Sequence, residues 1–403
     1  MSALNGEGDG FGPAFTSFFC FLGILILAVL VPLVPLGIAP GVAALAVLSV
    51  GTVLWRRHRL PLPDRSLLLA LGLFLGWAGL SLGWTAGGNK AAISYFSFLY
   101  LWLPALLLLV LLGTAPDPLA RRIARWLLPA VAVGVVIFAV ELLADQPIQH
   151  LAAPPEKSPV DYERDINRAA VLLALLAGPV ALLLWRLGRR VPAGVALFLP
   201  VLMALDSTSQ SAVAALLGLL VLLGVGVVSW RAAAGLVATG IVAGFALCGP
   251  VAHWMEAVGL SKLSFLPYSF RHRIMTWDFV ASRLGDHPWI GYGLEASRAV
   301  PGGDGSFPGT GLRMLPVHPH NLFLQVRLEL GWVGAVLAAA LLLVGLYRLT
   351  RLEDSIRPMA IALFGAAIFI QCFAYGAWQG WLICGMLFAG ALTVLAGRIR
   401  APS

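Results

Sequence analysis

His320 is the side chain in this chain best suited to chemistry. An imidazole of unperturbed pKa near 6.5 can be neutral at working pH and take a proton from an attacking hydroxyl. It opens an apolar run and is followed by Asn321, Leu324, Gln325, Arg327 and Glu329. On a helix of about 3.6 residues per turn, His320, Leu324, Arg327, Gly331 and Gly334 share one face. Asn321, Gln325 and Glu329 share the next, so a polar wedge would enter the bilayer. The same pattern admits a structural reading, in which His320 and Asn321 cap the helix start while Arg327 and Glu329 pair with other helices.

Arg168, in Asp165-Ile166-Asn167-Arg168, could hold a phosphate or carboxylate bidentately or simply snorkel to the interface. Arg271 and Arg273 stand at the start of an amphipathic stretch, where a phosphate or an anionic lipid head group would both be favoured. Glu141 and Asp206 complete the ionisable groups in or at the ends of apolar spans, where each is a functional candidate because burial in lipid is costly. His272, His287, His318 and His320, with Asp286, invite a metal. Their spacing matches no zinc pattern and no HExxH occurs, so no metal site is expected. No phosphate-binding or dinucleotide glycine loop is present, so neither ATP hydrolysis nor a cofactor is expected.

The elements that carry these residues follow from composition. Of 403 residues 60% are hydrophobic and 11% charged, and mean hydropathy is +0.90. A soluble surface of this length would need more charge. Apolar runs of roughly 17 to 25 residues cross a hydrocarbon core as helices, and about twelve occur, at 15–38, 40–55, 66–85, 92–113, 127–144, 166–185, 191–206, 211–229, 232–250, 321–347, 358–377 and 379–396. The second and seventh are short. The expected fold is an all-α polytopic membrane protein: one integral membrane domain, 1–403, with a large loop at 251–320.

Orientation follows from the retention of cationic loops on the cytoplasmic side. With the N-terminus inside, the inner loops hold Arg56, Arg57, Arg59 and Arg65, then Arg121, Arg122 and Arg125, then Arg186, Arg189 and Arg190. Arg231, Arg348, Arg351, Arg357, Arg398 and Arg400 continue the series. Short outer loops carry only Lys90, Lys157 and Arg164. Both termini are then cytoplasmic in a bacterial inner membrane, and the net charge of +8 is a topology signal. It forms no basic soluble face for nucleic acid.

Cys20, Cys248, Cys372 and Cys384 lie in or beside apolar spans and read as packing residues. With Glu7 and Asp9 and no basic region before its first apolar run, the N-terminus does not resemble a cleavable signal. Two outer segments stand out. The acidic stretch 145–165 contains Pro147, Pro154, Pro155 and Pro159. The loop 251–320 contains an amphipathic helix over 269–284, expected on or near the membrane surface, a turn at His287-Pro288-Trp289-Ile290-Gly291-Tyr292-Gly293, and a glycine-rich, lid-like stretch from Gly302 to Gly311.

His320-Asn321 followed by Leu324-Gln325, Glu329, Gly331 and Gly334 resembles the signature of the bacterial O-antigen ligase and polymerase superfamily. Upstream, Arg273 and Trp277, then Pro288 and Gly291-Tyr292-Gly293, resemble the family's loop helix and Gly-x-Gly turn. Asn167-Arg168 with Leu172 resembles its Arg-x-x-x-Leu. The chain departs from the family where Thr-x-Ser-Arg is common, having Ser207-Thr208-Ser209-Gln210.

The resemblance, closest to the ligases, implies a GT-C-like glycosyltransferase with a periplasmic, metal-independent site. The donor would be a glycan on undecaprenyl diphosphate and the acceptor a sugar hydroxyl of lipid A core, joined with inversion at a membrane-lipid surface. His320 would be the base, and Arg168 and Arg273 the diphosphate ligands with Arg271 assisting; Asn321 and Arg327 would support them. The alternatives are an O-antigen or exopolysaccharide polymerase that joins two lipid-linked glycans and, more distantly, a transporter. A transporter would show inverted repeats, and none is visible.

Overall fold

The computed structural model describes residues 13–55, 59–152, 157–206 and 209–400. Glu7, Asp9, Arg56, Arg57, Pro154, Pro155, Ser207, Thr208 and the side chain of Asp206 lie outside the described residues. Ten described helices are long and apolar enough to cross a membrane: α1 (Thr16–Leu33), α2 (Pro35–Trp55), α3 (Arg65–Gly83), α4 (Asn89–Leu112), α5 (Asp117–Leu143), α6 (Pro159–Arg186), α8 (Gln210–Val228), α9 (Trp230–Ala257), α11 (Leu322–Thr350) and α13 (Gly380–Arg398). Two shorter apolar helices, α7 (Arg190–Leu205) and α12 (Arg357–Phe373), complete the series, and α10 (Tyr268–Arg283) lies in the long loop. The protein is an all-α polytopic membrane protein.

The second span reaches 21 residues because a 3-10 turn at Pro35 leads into it; the eleventh, not the second, is short. Local chemistry sets several starts. Asp64 accepts from Ser66 N at 2.8 Å, Ser158 caps α6 ahead of Pro159, and Ser229 accepts from Ala232 N at 3.2 Å; each satisfies an amide that a helix start leaves unpaired. The central element is α6, buried on every side from Ala169 to Leu184 and packed by α5, α7, α8, α12 and α13. A helix apolar all round belongs in such a core.

Three expectations about the long loop are corrected. First, α9 runs on to Ala257, so the loop begins later than Val251. Second, the apolar face of α10, Ile274, Trp277 and Val280, is buried and packs on α9 rather than facing lipid.

Third, α11 is not one continuous helix. Gly331 breaks it with φ 65° and ψ −163°, a conformation essentially confined to glycine. His320, with φ 54°, precedes the helix, so no single helical face joins His320 to Gly331 and Gly334.

The turn at 287–293 fills this break. Tyr292 N and Gly293 N donate to the carbonyls of Leu328 and Glu329 at 3.0 and 2.7 Å, while Trp332 N and Val333 N donate to those of Pro288 and Trp289 at 2.9 and 3.1 Å. The indole of Trp77 takes the Leu330 carbonyl at 3.0 Å. Five of the backbone groups at the break thus find partners outside the helix, as an apolar environment requires. The approach is close enough that a Cβ on Gly331 would lie 2.3 Å from the Trp289 backbone, and one on Gly291 would lie 2.4 Å from that of Glu329.

Glu329, fully buried, fastens the same junction. Its carboxylate accepts from Glu295 N at 2.7 Å, Ser297 Oγ at 2.5 Å, Gln325 Nε2 at 3.1 Å and Trp378 Nε1 at 2.6 Å. The long loop, α11 and the turn between α12 and α13 thus all meet at this side chain.

Candidate functional site

The segment His318-Pro319-His320-Asn321 is pinned at each residue. Trp277 Nε1 of α10 donates to the Pro319 carbonyl at 2.7 Å. Asn321 Oδ1 caps α11 by accepting from Phe323 N and Leu324 N, both at 3.1 Å. His320 does not cap. Its Nδ1 lies 2.6 Å from the Ala374 carbonyl, which can only accept, so Nδ1 carries the proton and Nε2 holds the lone pair. A non-glycine residue with positive φ, held by such contacts, marks a place where strain is kept for a reason.

Burial first, and then the charge of Arg273, lower the His320 pKa to about 4. The imidazole is therefore neutral at physiological pH. His318 packs against it with ring centres 4.2 Å apart and planes inclined by 60° and is pushed further down, to about 2, by burial and by His320. Gln379 ties the His318 ring to Trp381: its Oε1 accepts from Trp381 Nε1 at 2.6 Å and its Nε2 lies 3.2 Å from His318 Nε2.

Cationic groups on two elements, α6 and α10, flank this segment and the turn after α12. Arg273 on α10 is close enough to act on His318, His320 and Tyr375, and burial lowers its own pKa. Among the described residues it has no ion-pair partner. Nor has Arg271, which lies 5.7 Å over the Tyr268 ring with its Nε buried and unbonded. Arg168 on α6 is held by Asp165 at 2.9 Å, and Asp165 in turn by Lys157 at 3.0 Å. Arg168 and Arg273 both act on the phenol of Tyr375, whose pKa burial nonetheless raises to about 12.

Arg168, Arg273 and His320 are thus gathered around the turn that follows α12, although more than a hundred residues separate the first from the others. Arg327 is set apart from them. Its guanidinium is stacked 3.3 Å over Trp332 and donates to the Phe245 carbonyl at 3.2 Å, which is a packing arrangement. Glu141 is also structural, accepting from Ile148 N and Gln149 N at 2.8 and 3.2 Å. The departure at Gln210 falls beside the site, because Ser209 Oγ reaches the Asn167 carbonyl at 3.5 Å. Among the described residues no group of three or more His, Cys, Asp or Glu side chains is assembled as metal ligands, and the four cysteines are free and buried.

The turn 374–379 contributes Tyr375, Gln379 and the Ala374 carbonyl, none of which the sequence singled out. The one available signal was an aromatic and polar run, Tyr375-Gly376-Ala377-Trp378-Gln379, between two apolar helices. Beside the pinned segment, an apolar cavity of about 700 Å³ lies between α8, α9 and α12 and reaches Trp277, Asn321 and Phe323.

Residues 195–339, which contain α10, the 287–293 turn and His320, match the family model described as O-antigen ligase. Over this segment the chain is similar to the O-antigen ligase family. A Rickettsia conorii protein provisionally named a polysaccharide ligase is 34% identical over 154 residues, 37% of this chain and 37% of its own length. A similarly named Rickettsia prowazekii protein is 32% identical over 154 residues, 37% and 38% of the two chains. The similarity thus spans less than two-fifths of either relative.

Proposed function

We propose that the protein transfers a glycan from undecaprenyl diphosphate to a sugar hydroxyl of lipid A core. The reaction would take place at the periplasmic face of a bacterial inner membrane, with both termini cytoplasmic. The observation that carries this reading is the pairing of a neutral His320, its Nε2 lone pair free, with the uncompensated charge of Arg273. The similarity to the ligase family over the same residues supports it, as does the bias of arginines toward the other end of the helices.

In this reaction the acceptor hydroxyl gives its proton to His320 Nε2 while its oxygen attacks the anomeric carbon from the face opposite the leaving group. The bond from that carbon to the phosphate oxygen breaks, and its electron pair leaves with undecaprenyl diphosphate, inverting the anomeric centre. Arg168 and Arg273, with Arg271 assisting, meet the negative charge as it grows on the leaving group. No metal is needed for that role, since guanidinium forks match phosphate oxygens. The apolar cavity beside Asn321 suits the isoprenoid tail.

The low pKa of His320 fits a base that is activated by its substrate. A bound diphosphate would offset the Arg273 charge that helps hold the imidazole down, so its basicity would rise only when the donor is in place.

Deletion of the gene followed by lipopolysaccharide electrophoresis tests the reading. The expected result is bare lipid A core with lipid-linked polymer still made. Cores carrying a single repeat unit would instead indicate a polymerase, and unchanged lipopolysaccharide would overturn the reading.

A further inference from the structure

Tyr375 follows directly on Ala374, whose carbonyl holds His320 Nδ1. Its ring is fixed edge-on against Trp381, with centres 4.9 Å apart and planes at 90°, and Trp381 is itself tied through Gln379 to His318. Phenylalanine would pack on Trp381 equally well, so the hydroxyl is what the fold does not account for. That hydroxyl makes no hydrogen bond among the described residues, and on a half-buried ring it stays open to an incoming ligand. The charges of Arg168 and Arg273 both reach it. They come from α6 and α10, two elements far apart in the chain.

A phenol placed among guanidiniums, with a proton to donate and nothing in the protein to take it, is matched to an anion carrying several oxygens. Having no charge, it adds a hydrogen bond without further raising the repulsion between the arginines. We propose that the Tyr375 hydroxyl, on the turn that holds His320, is a neutral hydrogen-bond donor to the diphosphate of the lipid-linked substrate, acting with Arg168 and Arg273. The phenol keeps its proton throughout: burial holds it protonated at any physiological pH, and it steadies the departing phosphate by hydrogen bonding alone. This inference rests on the donor assignment made above.

The test is binding of undecaprenyl diphosphate, in detergent, to the full-length protein and to the variants Tyr375→Phe, Arg168→Ala and Arg273→Ala, with the melting temperature of each measured in parallel. Tyr375→Phe is expected to weaken binding about tenfold, the scale of one hydrogen bond to a charged group, with an unchanged melting temperature. Wild-type affinity in Tyr375→Phe, with both arginine variants weakened, would overturn the role of Tyr375 and leave the donor site standing. Wild-type affinity in all three variants, or no binding by the wild type, would remove the donor assignment and this inference with it. A fall in the melting temperature of Tyr375→Phe would make the hydroxyl a structural group and also overturn the proposal.

Discussion

Arginines at the two ends of the helical bundle are treated differently. At the end where α3 begins and α11 ends, several have partners. Arg121 pairs with Asp117 at 2.9 Å, Arg357 with Asp354 at 2.6 Å and Arg348 with Asp64, while Arg398 donates to the Ala115 carbonyl at 2.9 Å. At the end that carries the long loop, Arg271 and Arg273 are drawn into the fold and have no carboxylate among the described residues. Matched charges anchor helix ends and say little about function. A half-buried cation without a counter-ion is costly, and on the proposed reading it is kept there to receive an anion.

The comparison breaks most severely if the loop loses its seat. Gly331→Ala would force a Cβ into the Trp289 backbone at a position only glycine adopts. It should cost about 3 kcal/mol or more and release the 287–293 turn, so thermal unfolding in detergent should show a large destabilisation together with loss of transfer. A next, smaller effect separates the two kinds of arginine. Arg273→Ala should lower the transfer rate about a hundredfold, as loss of a charge-stabilising donor does. Arg121→Ala, which removes a surface pair with Asp117, should change the rate by less than about twofold. Equal effects of these two substitutions in a reconstituted assay would erase the distinction.

The mildest probe is pH. With His320 held near 4 in the free protein, kcat/KM should stay flat from neutrality through pH 6 and fall only as the imidazole becomes protonated below about 5. The pKa seen in kcat should lie above that seen in kcat/KM, because the bound diphosphate offsets Arg273. Stability follows the same sign. The unfolded imidazole takes up a proton near its ordinary value of about 6.5 and the folded one only near 4, so this contribution is full above 6.5 and is lost as pH falls toward 4. A kcat/KM profile that breaks near 6.5 would show that Arg273 and burial do not act on the base.

Much of this was legible in the sequence because it is local or periodic. Hydropathy marks the spans, and His320, Asn321, Glu329 and the glycines at 291 and 331 lie within short, recognisable stretches. What could not be read was long-range. The helix break at Gly331 looks like an ordinary glycine in an apolar run until Trp289, on another element, is seen filling it. The four donors that surround Glu329 come from three segments. Tyr375 carries no motif, and it matters only because α6 and α10 bring Arg168 and Arg273 to the same turn. The shared helical face assumed for His320 and Gly331 failed because both residues take positive φ, which a side-chain period cannot reveal.

The central claim is that His320 is the base at an anion-receiving site. It is tested most directly by glycan transfer from an undecaprenyl-diphosphate-linked donor to lipid A core in proteoliposomes carrying the wild type or His320→Ala. A loss of about 10² to 10⁴-fold in rate, with folding and undecaprenyl diphosphate binding retained, is the predicted result. A rate within about tenfold of wild type would contradict it.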